Sequence, residues 1–153
     1  MIAVNTTAPD FTLPRDGGDS VTLSALRGQP VVLFFYPRDD TSGCTKESIA
    51  FSTLADDFQA AGAQVFGVSK DSVASHDKFV AKHGLRVPLL SDADGTVCED
   101  YGVWKEKSMY GKNFMGIERS TVLIAADGTV ARVWPRVKVP GHAEEVLDAL
   151  RAL

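Results

Sequence analysis

Cysteine is scarce in this chain: there are two in 153 residues, Cys44 and Cys98. That excludes a scaffold held by disulfides. His76, His83 and His142 are scattered, and with the two cysteines they form no recognisable metal-ligand spacing, so no metal or other cofactor is expected. A Cys-x-x-Cys pair is missing as well, because Cys44 is followed by Thr45, Lys46 and Glu47, which removes the chemistry of a dithiol reductase. Basic excess is lacking: 16 Lys and Arg against 20 Asp and Glu give a net charge of −4, the wrong sign for a nucleic-acid surface. No apolar run approaches a membrane span. Met1–Asn5 shows no basic region leading into an apolar stretch, so the expectation is a cytoplasmic, reducing setting, where a cysteine is reactive rather than stapled. Repeats, low-complexity tracts and linkers are absent, and the length suits one domain, residues 1–153, with a full core.

What is present is an alternation of strand and helix patterns. Phe11–Leu13 and Val21–Leu23 flank the turn Asp16-Gly17-Gly18-Asp19 and read as a small N-terminal hairpin. Val31–Tyr36 is a continuous apolar run of strand length, expected at the centre of a sheet and buried on both faces. After Gly43, Ala50, Leu54, Phe58 and Ala61 recur at helical spacing up to Gly62, which predicts one helix. Strands are expected at Gln64–Ser69, Leu89–Leu90, Arg119–Ala125 and Thr129–Trp134, with helices at Ser72–His83, Thr96–Tyr101 and from His142 onward. The segment with Trp104, Met109, Tyr110, Phe114 and Met115 among Lys105, Lys107 and Lys112 reads as a covering loop or a contact surface. His76 and His83, seven apart, read as surface or boundary residues.

The most informative residue is Cys44. An apolar strand ends at Pro37, a polar turn Arg38-Asp39-Asp40-Thr41-Ser42-Gly43 follows, and the thiol comes where a helix begins. A free thiol has a pKa near ~8.5, so little of it is thiolate at neutral pH. The positive end of a helix favours the anion by up to ~2 kcal/mol, and the anion is the nucleophile. A polar Thr-Ser-Gly turn is also a setting in which the sulfur is expected to be accessible rather than core. Thr41 stands where a helix cap would stand.

Pro37, Thr41 and Cys44 form Pro-x-x-x-Thr-x-x-Cys between a strand and a helix, which resembles the active-site motif of the peroxiredoxins. Tyr36–Thr45 is similar to the bacterioferritin comigratory protein branch, also called peroxiredoxin Q. Ala8-Pro9-Asp10-Phe11, Arg119–Ile124 and Gly141–Leu147 resemble the family's opening, arginine strand and last helix. The resemblance implies a thioredoxin-like α/β three-layer sandwich with an N-terminal β-hairpin extension. It implies a thiol peroxidase that reduces hydrogen peroxide and organic hydroperoxides through a Cys44 sulfenic acid. The reductant would be thioredoxin, glutaredoxin or a low-molecular-weight thiol, and the protein a monomer or weak homodimer.

By the same resemblance Arg119 holds the sulfur anion and a peroxide oxygen, Glu47 orients that arginine, and Thr41 bonds to the peroxide. The backbone N–H groups of Gly43 and Cys44 are candidate donors to it, and Pro37 shields the sulfur. Relatives that carry a resolving cysteine have it where Ile49 or Val80 stands here. Cys98 fits neither place, and three fates stay open for the sulfenic acid: an outside thiol, Cys98 of the same chain, or Cys98 of another. The alternative function is a peroxide-sensing signalling protein, which would use the same thiolate without rapid turnover.

Overall fold

The structure is a computed structural model and describes residues 1–153. A central sheet of five strands runs in the order β5-β4-β3-β8-β9, built from β3 (Val31–Phe35), β4 (Gln64–Ser69), β5 (Leu89–Ser91), β8 (Ser120–Ile124) and β9 (Val130–Trp134). β3, β4 and β5 are parallel, while β8 pairs antiparallel with both β3 and β9. The N-terminal hairpin is β1 (Thr12–Pro14) with β2 (Ser20–Thr22). The helices are α1 (Ser42–Thr53), α2 (Ala55–Ala60), α3 (Val73–His83), α4 (Val97–Asp100) and α5 (His142–Arg151).

Strand β3 shows why the run Val31–Tyr36 lies at the centre. Successive side chains on a strand point to opposite faces. Val31, Leu33 and Phe35 enter a core with Phe11, Leu13, Phe66, Leu90, Cys98 and Tyr101. Val32, Phe34 and Tyr36 enter a second core with Cys44, Phe51, Phe58, Phe79, Val146 and Leu150, contributed by α1, α2, α3 and α5. The sheet therefore separates two cores, and the three layers follow from that division. Phe34 stacks on Phe51 of α1 at 4.5 Å between centroids, fixing the helix against the strand that precedes it. Gly67 on β4 leaves room for this packing: a Cβ there would stand 2.8 Å from both Phe34 and Leu89.

Two expectations are corrected. The helix expected to run on to Gly62 breaks at Leu54, whose ψ of 9° leaves the helical range, giving α1 and α2. The expected covering loop is a β-hairpin, β6 (Trp104–Met109) with β7 (Lys112–Ile117), in which Lys107 pairs with Phe114. Its two-residue turn, Tyr110-Gly111, has φ of 52° and 75°, the positive values that suit the twist of a tight hairpin. Tyr110 takes that conformation on a residue 95% exposed, so no packing opposes it.

Candidate active site

The site forms where β3 runs out. After Tyr36 the chain turns through Pro37–Asp40, with Asp40 at φ 57°, and Thr41 is extended (φ −90°, ψ 156°) as the N-cap of α1. The first helical bond runs from the Thr45 N–H to the Thr41 carbonyl at 2.8 Å. The N–H groups of Ser42, Gly43 and Cys44 thus have no partner in the helix. An N-cap threonine ordinarily accepts from one of them. Here the Thr41 hydroxyl instead donates to the Arg38 carbonyl at 2.9 Å, and no side-chain cap is made. Its proton is committed, its lone pairs are free, and the amides of Gly43 and Cys44 stay available.

Arg119 reaches this place through sheet register. It stands just before β8, and Ser120 pairs with Phe35, the last residue of β3. The residue ahead of Ser120 therefore meets the residues just past the end of β3. Arg119 Nη2 donates to Cys44 Sγ at 3.3 Å and Nη1 to Glu47 Oε1 at 2.8 Å. Gly43 allows the approach, since a Cβ there would lie 3.0 Å from Nη2. Cys44 and Glu47, three apart on α1, present one face to a single guanidinium.

The electrostatics follow from burial. Glu47 is 1% exposed and its Oε2 has no partner. Burial pushes its carboxyl up to about 7, while the charge and hydrogen bond of Arg119 pull it down. Burial works against the Arg119 charge, but Glu47 and Cys44 outweigh it and hold the guanidinium above its ordinary value. Lys107 on β6 is half-buried and lowered by burial and by the like charge of Arg119. His142, whose Nε2 lies 2.8 Å from the Thr121 hydroxyl, is pushed down to about 4 by burial and stays neutral.

The structure brings Cys44, Arg119, Glu47 and Gly43 together, and leaves Pro37 and Thr41 exposed on the loop above. It differs from expectation at two points, Cys44 and His76. Cys44 is 1% exposed rather than open, because its position in the first turn of α1 turns the side chain back onto the sheet. His76 is fully buried rather than on the surface, since Asp39 and the Leu90 carbonyl give both ring nitrogens partners. Cys98 lies in the other core, with the sheet between it and Cys44. Burial and Asp92 push the Cys98 thiol far above its ordinary value, so it is a packed, protonated residue.

Sequence reasoning missed the residues around Asp39. Asp39, Asp71 and His76 have ligand-type atoms within 4.8 Å of one another, but these atoms are taken up by hydrogen bonds among themselves and their neighbours. The helical spacing of His76 with the buried Phe79 was the available signal.

The chain matches the AhpC/TSA family over residues 4–133. Peroxiredoxin Bcp of Xanthomonas campestris is 50% identical over 143 residues, covering 94% of this chain and 89% of that protein. Peroxiredoxin Bcp of Bacillus subtilis is 43% identical over 150 residues, covering 98% and 96%. Among solved structures, a cysteine-to-serine mutant of Xylella fastidiosa PrxQ shares the fold with a TM-score of 0.94 at 44% identity, covering 99% of this chain and 97% of that one. With a buried thiol bonded to a guanidinium at the head of a helix, on this fold, the chain belongs to the AhpC/TSA family, in its Bcp or peroxiredoxin Q branch, and is a thiol peroxidase.

Proposed function

We propose that the protein reduces hydrogen peroxide and alkyl hydroperoxides at Cys44 and returns to its thiol with electrons from an external thiol. The observation that carries this reading is the 3.3 Å bond from Arg119 Nη2 to Cys44 Sγ. Thiolate sulfur attacks one peroxide oxygen, the O–O bond breaks, and the electron pair leaves on the other oxygen. Negative charge moves from sulfur to that oxygen, so the groups that matter are donors placed along its path. Arg119 is charged throughout and has further N–H groups to follow the charge. The amides of Gly43 and Cys44 add two fixed donors. Thr41 is an acceptor, because its own proton is engaged by Arg38, and it orients the peroxide through the peroxide O–H. Protonation of the leaving oxygen gives water or an alcohol, and the sulfur becomes a sulfenic acid.

Recycling needs two external thiols, or one dithiol. The first displaces water from the sulfenic acid to give a mixed disulfide, and the second releases Cys44. Cys98 is not assigned this task, because the sheet lies between the two sulfurs. Thioredoxin, a glutaredoxin and a low-molecular-weight thiol all satisfy the chemistry. Both cysteines are free, which fits a reducing, cytoplasmic setting, and no helix is long and apolar enough to cross a membrane. A solved Xanthomonas campestris bacterioferritin comigratory protein, 49% identical with a TM-score of 0.88, is described with alkyl peroxide reduction activity, which supports organic hydroperoxides as substrates.

A peroxidase assay coupled to thioredoxin and its reductase tests the reading. Cys44→Ser is expected to abolish turnover, and Thr41→Val to lower it by ~10²–10³, the scale of one lost polar contact to the reacting oxygens. Full activity in Cys44→Ser refutes the assignment. A single oxidation with no turnover under any thiol would instead favour a peroxide sensor.

A further inference from the structure

Beneath the catalytic loop lies a buried polar cluster that the sulfur chemistry does not touch. Asp39 takes three donors: the Tyr36 hydroxyl on Oδ1 at 2.6 Å, and on Oδ2 the Ser75 hydroxyl at 2.8 Å and His76 Nδ1 at 2.7 Å. Its own N–H donates to Asp71 Oδ2 at 2.8 Å, which also accepts from the Ser69 hydroxyl at 2.6 Å. The second ring nitrogen of His76, Nε2, lies 2.9 Å from the Leu90 carbonyl oxygen. Both nitrogens of a fully buried imidazole thus face acceptors. A neutral ring has a single N–H, so His76 is the imidazolium and Asp39 its carboxylate partner. Burial alone pulls His76 toward neutrality, but the bond and charge of Asp39, the Leu90 carbonyl and the charge of Asp71 raise it above its ordinary value. The next residue, Asp40, accepts from Lys82 Nζ at 2.7 Å and His83 Nε2 at 2.9 Å. Two successive loop residues are therefore tied to the first and last turns of α3.

We infer that the buried Asp39–His76 ion pair is the positioning element of the peroxidatic loop, holding the Pro37–Thr41 backbone, and with it the Thr41 hydroxyl and the free amides of α1, in register over Cys44. His76 touches neither peroxide nor sulfur. It acts through Asp39, which sits two residues before the helix cap. The inference rests on the peroxidase reading, and adds to it a residue outside the motif on which peroxide reactivity depends. A misplacement of about 1 Å among reacting groups costs on the order of 10²-fold in rate. Removing one member of a buried pair leaves the other charge uncompensated, so the loop cannot keep its place.

The test compares two reactions of the same sulfur. In reduced wild type, His76→Gln and Ser75→Ala, the rate of Cys44 oxidation by hydrogen peroxide is measured in a single turnover beside its alkylation by iodoacetamide. Thiolate content affects both rates alike and cancels in their ratio; loop geometry favours only peroxide. In folded His76→Gln the ratio is expected to fall by about tenfold to a hundredfold, with alkylation faster because the buried thiol is less well covered. In wild type the ratio falls as pH rises above the ordinary histidine value and His76, facing Tyr36, Asp39, Asp71 and the Leu90 carbonyl, loses its proton. In His76→Gln it is flat over that range; Glu47 is common to both proteins and does not produce the difference. A ratio within twofold of wild type in folded His76→Gln overturns the inference. Ser75→Ala, which removes one donor and leaves the pair, is expected to keep the ratio within about twofold of wild type; if His76→Gln does not fold, Asp39→Asn, which removes the other charge of the pair, must lower the ratio by about tenfold or more, and an unchanged ratio there overturns the inference. Failure of the peroxidase reading looks different, since wild-type Cys44 would then not be oxidised by peroxide at all.

Discussion

At the scale of single residues, the site depends on how closely one guanidinium can approach one sulfur. Gly43 decides this, because a methyl at its Cβ would stand 3.0 Å from Arg119 Nη2. Gly43→Ala is expected to move the guanidinium off Cys44 and lower the peroxide rate by roughly tenfold or more, with the fold kept because the backbone there is helical and Ala is the better helix former. Stopped-flow oxidation beside a thermal melt checks this, and an unchanged rate would remove Gly43 from the machinery. Cys44 stood out in the sequence because a thiol follows a polar turn at the head of a helix, while Thr41, Pro37 and Gly43 entered as candidates through the motif they form with it. Arg119 was legible only by resemblance, since its place is set by the pairing of Phe35 with Ser120, which no local pattern encodes. His76 was read as a surface residue because its partner, Asp39, lies 37 positions away in a loop of unremarkable composition.

At the scale of elements, β3 and α3 followed directly from sequence. β3 is a run of apolar residues filled on both faces, and α3 begins where the Ser72 hydroxyl accepts from the Ser75 N–H at 3.1 Å and ends at Gly84 with φ 60°. The β6–β7 hairpin did not follow. Its turn is Tyr-Gly rather than Asn-Gly, and it is exposed on most positions, so it lacks the alternation that marks a half-buried strand. The break between α1 and α2 was hidden too, because Phe51 and Phe58 keep the same core contacts on either side of Leu54. The recurring lesson is that periodicity reports which face is buried, while turns and breaks depend on backbone angles that apolar spacing does not register.

At the scale of the whole molecule, buried titratable groups make stability depend on pH in opposing directions. Glu47 is raised from an ordinary value near 4.5 to about 7, so its contribution is full below 4.5 and is lost as pH rises to 7. His142 is lowered from 6.5 to about 4, so its contribution is full above 6.5 and is lost as pH falls to 4. Chemical denaturation between pH 4.5 and 6.5 should therefore show a nearly flat profile in wild type. Glu47→Gln removes the falling part, and its stability should rise with pH across that window; a profile parallel to wild type would contradict the assigned burial of Glu47. The sheet that separates the two cores also separates the two sulfurs, and the proposed recycling of Cys44 by an external thiol rests on that separation. Intact mass measured after one equivalent of hydrogen peroxide, without reductant, in wild type and Cys98→Ser, tests this most directly. The account predicts one added oxygen on Cys44 in both proteins. A disulfide formed by wild type and lost in Cys98→Ser would contradict it.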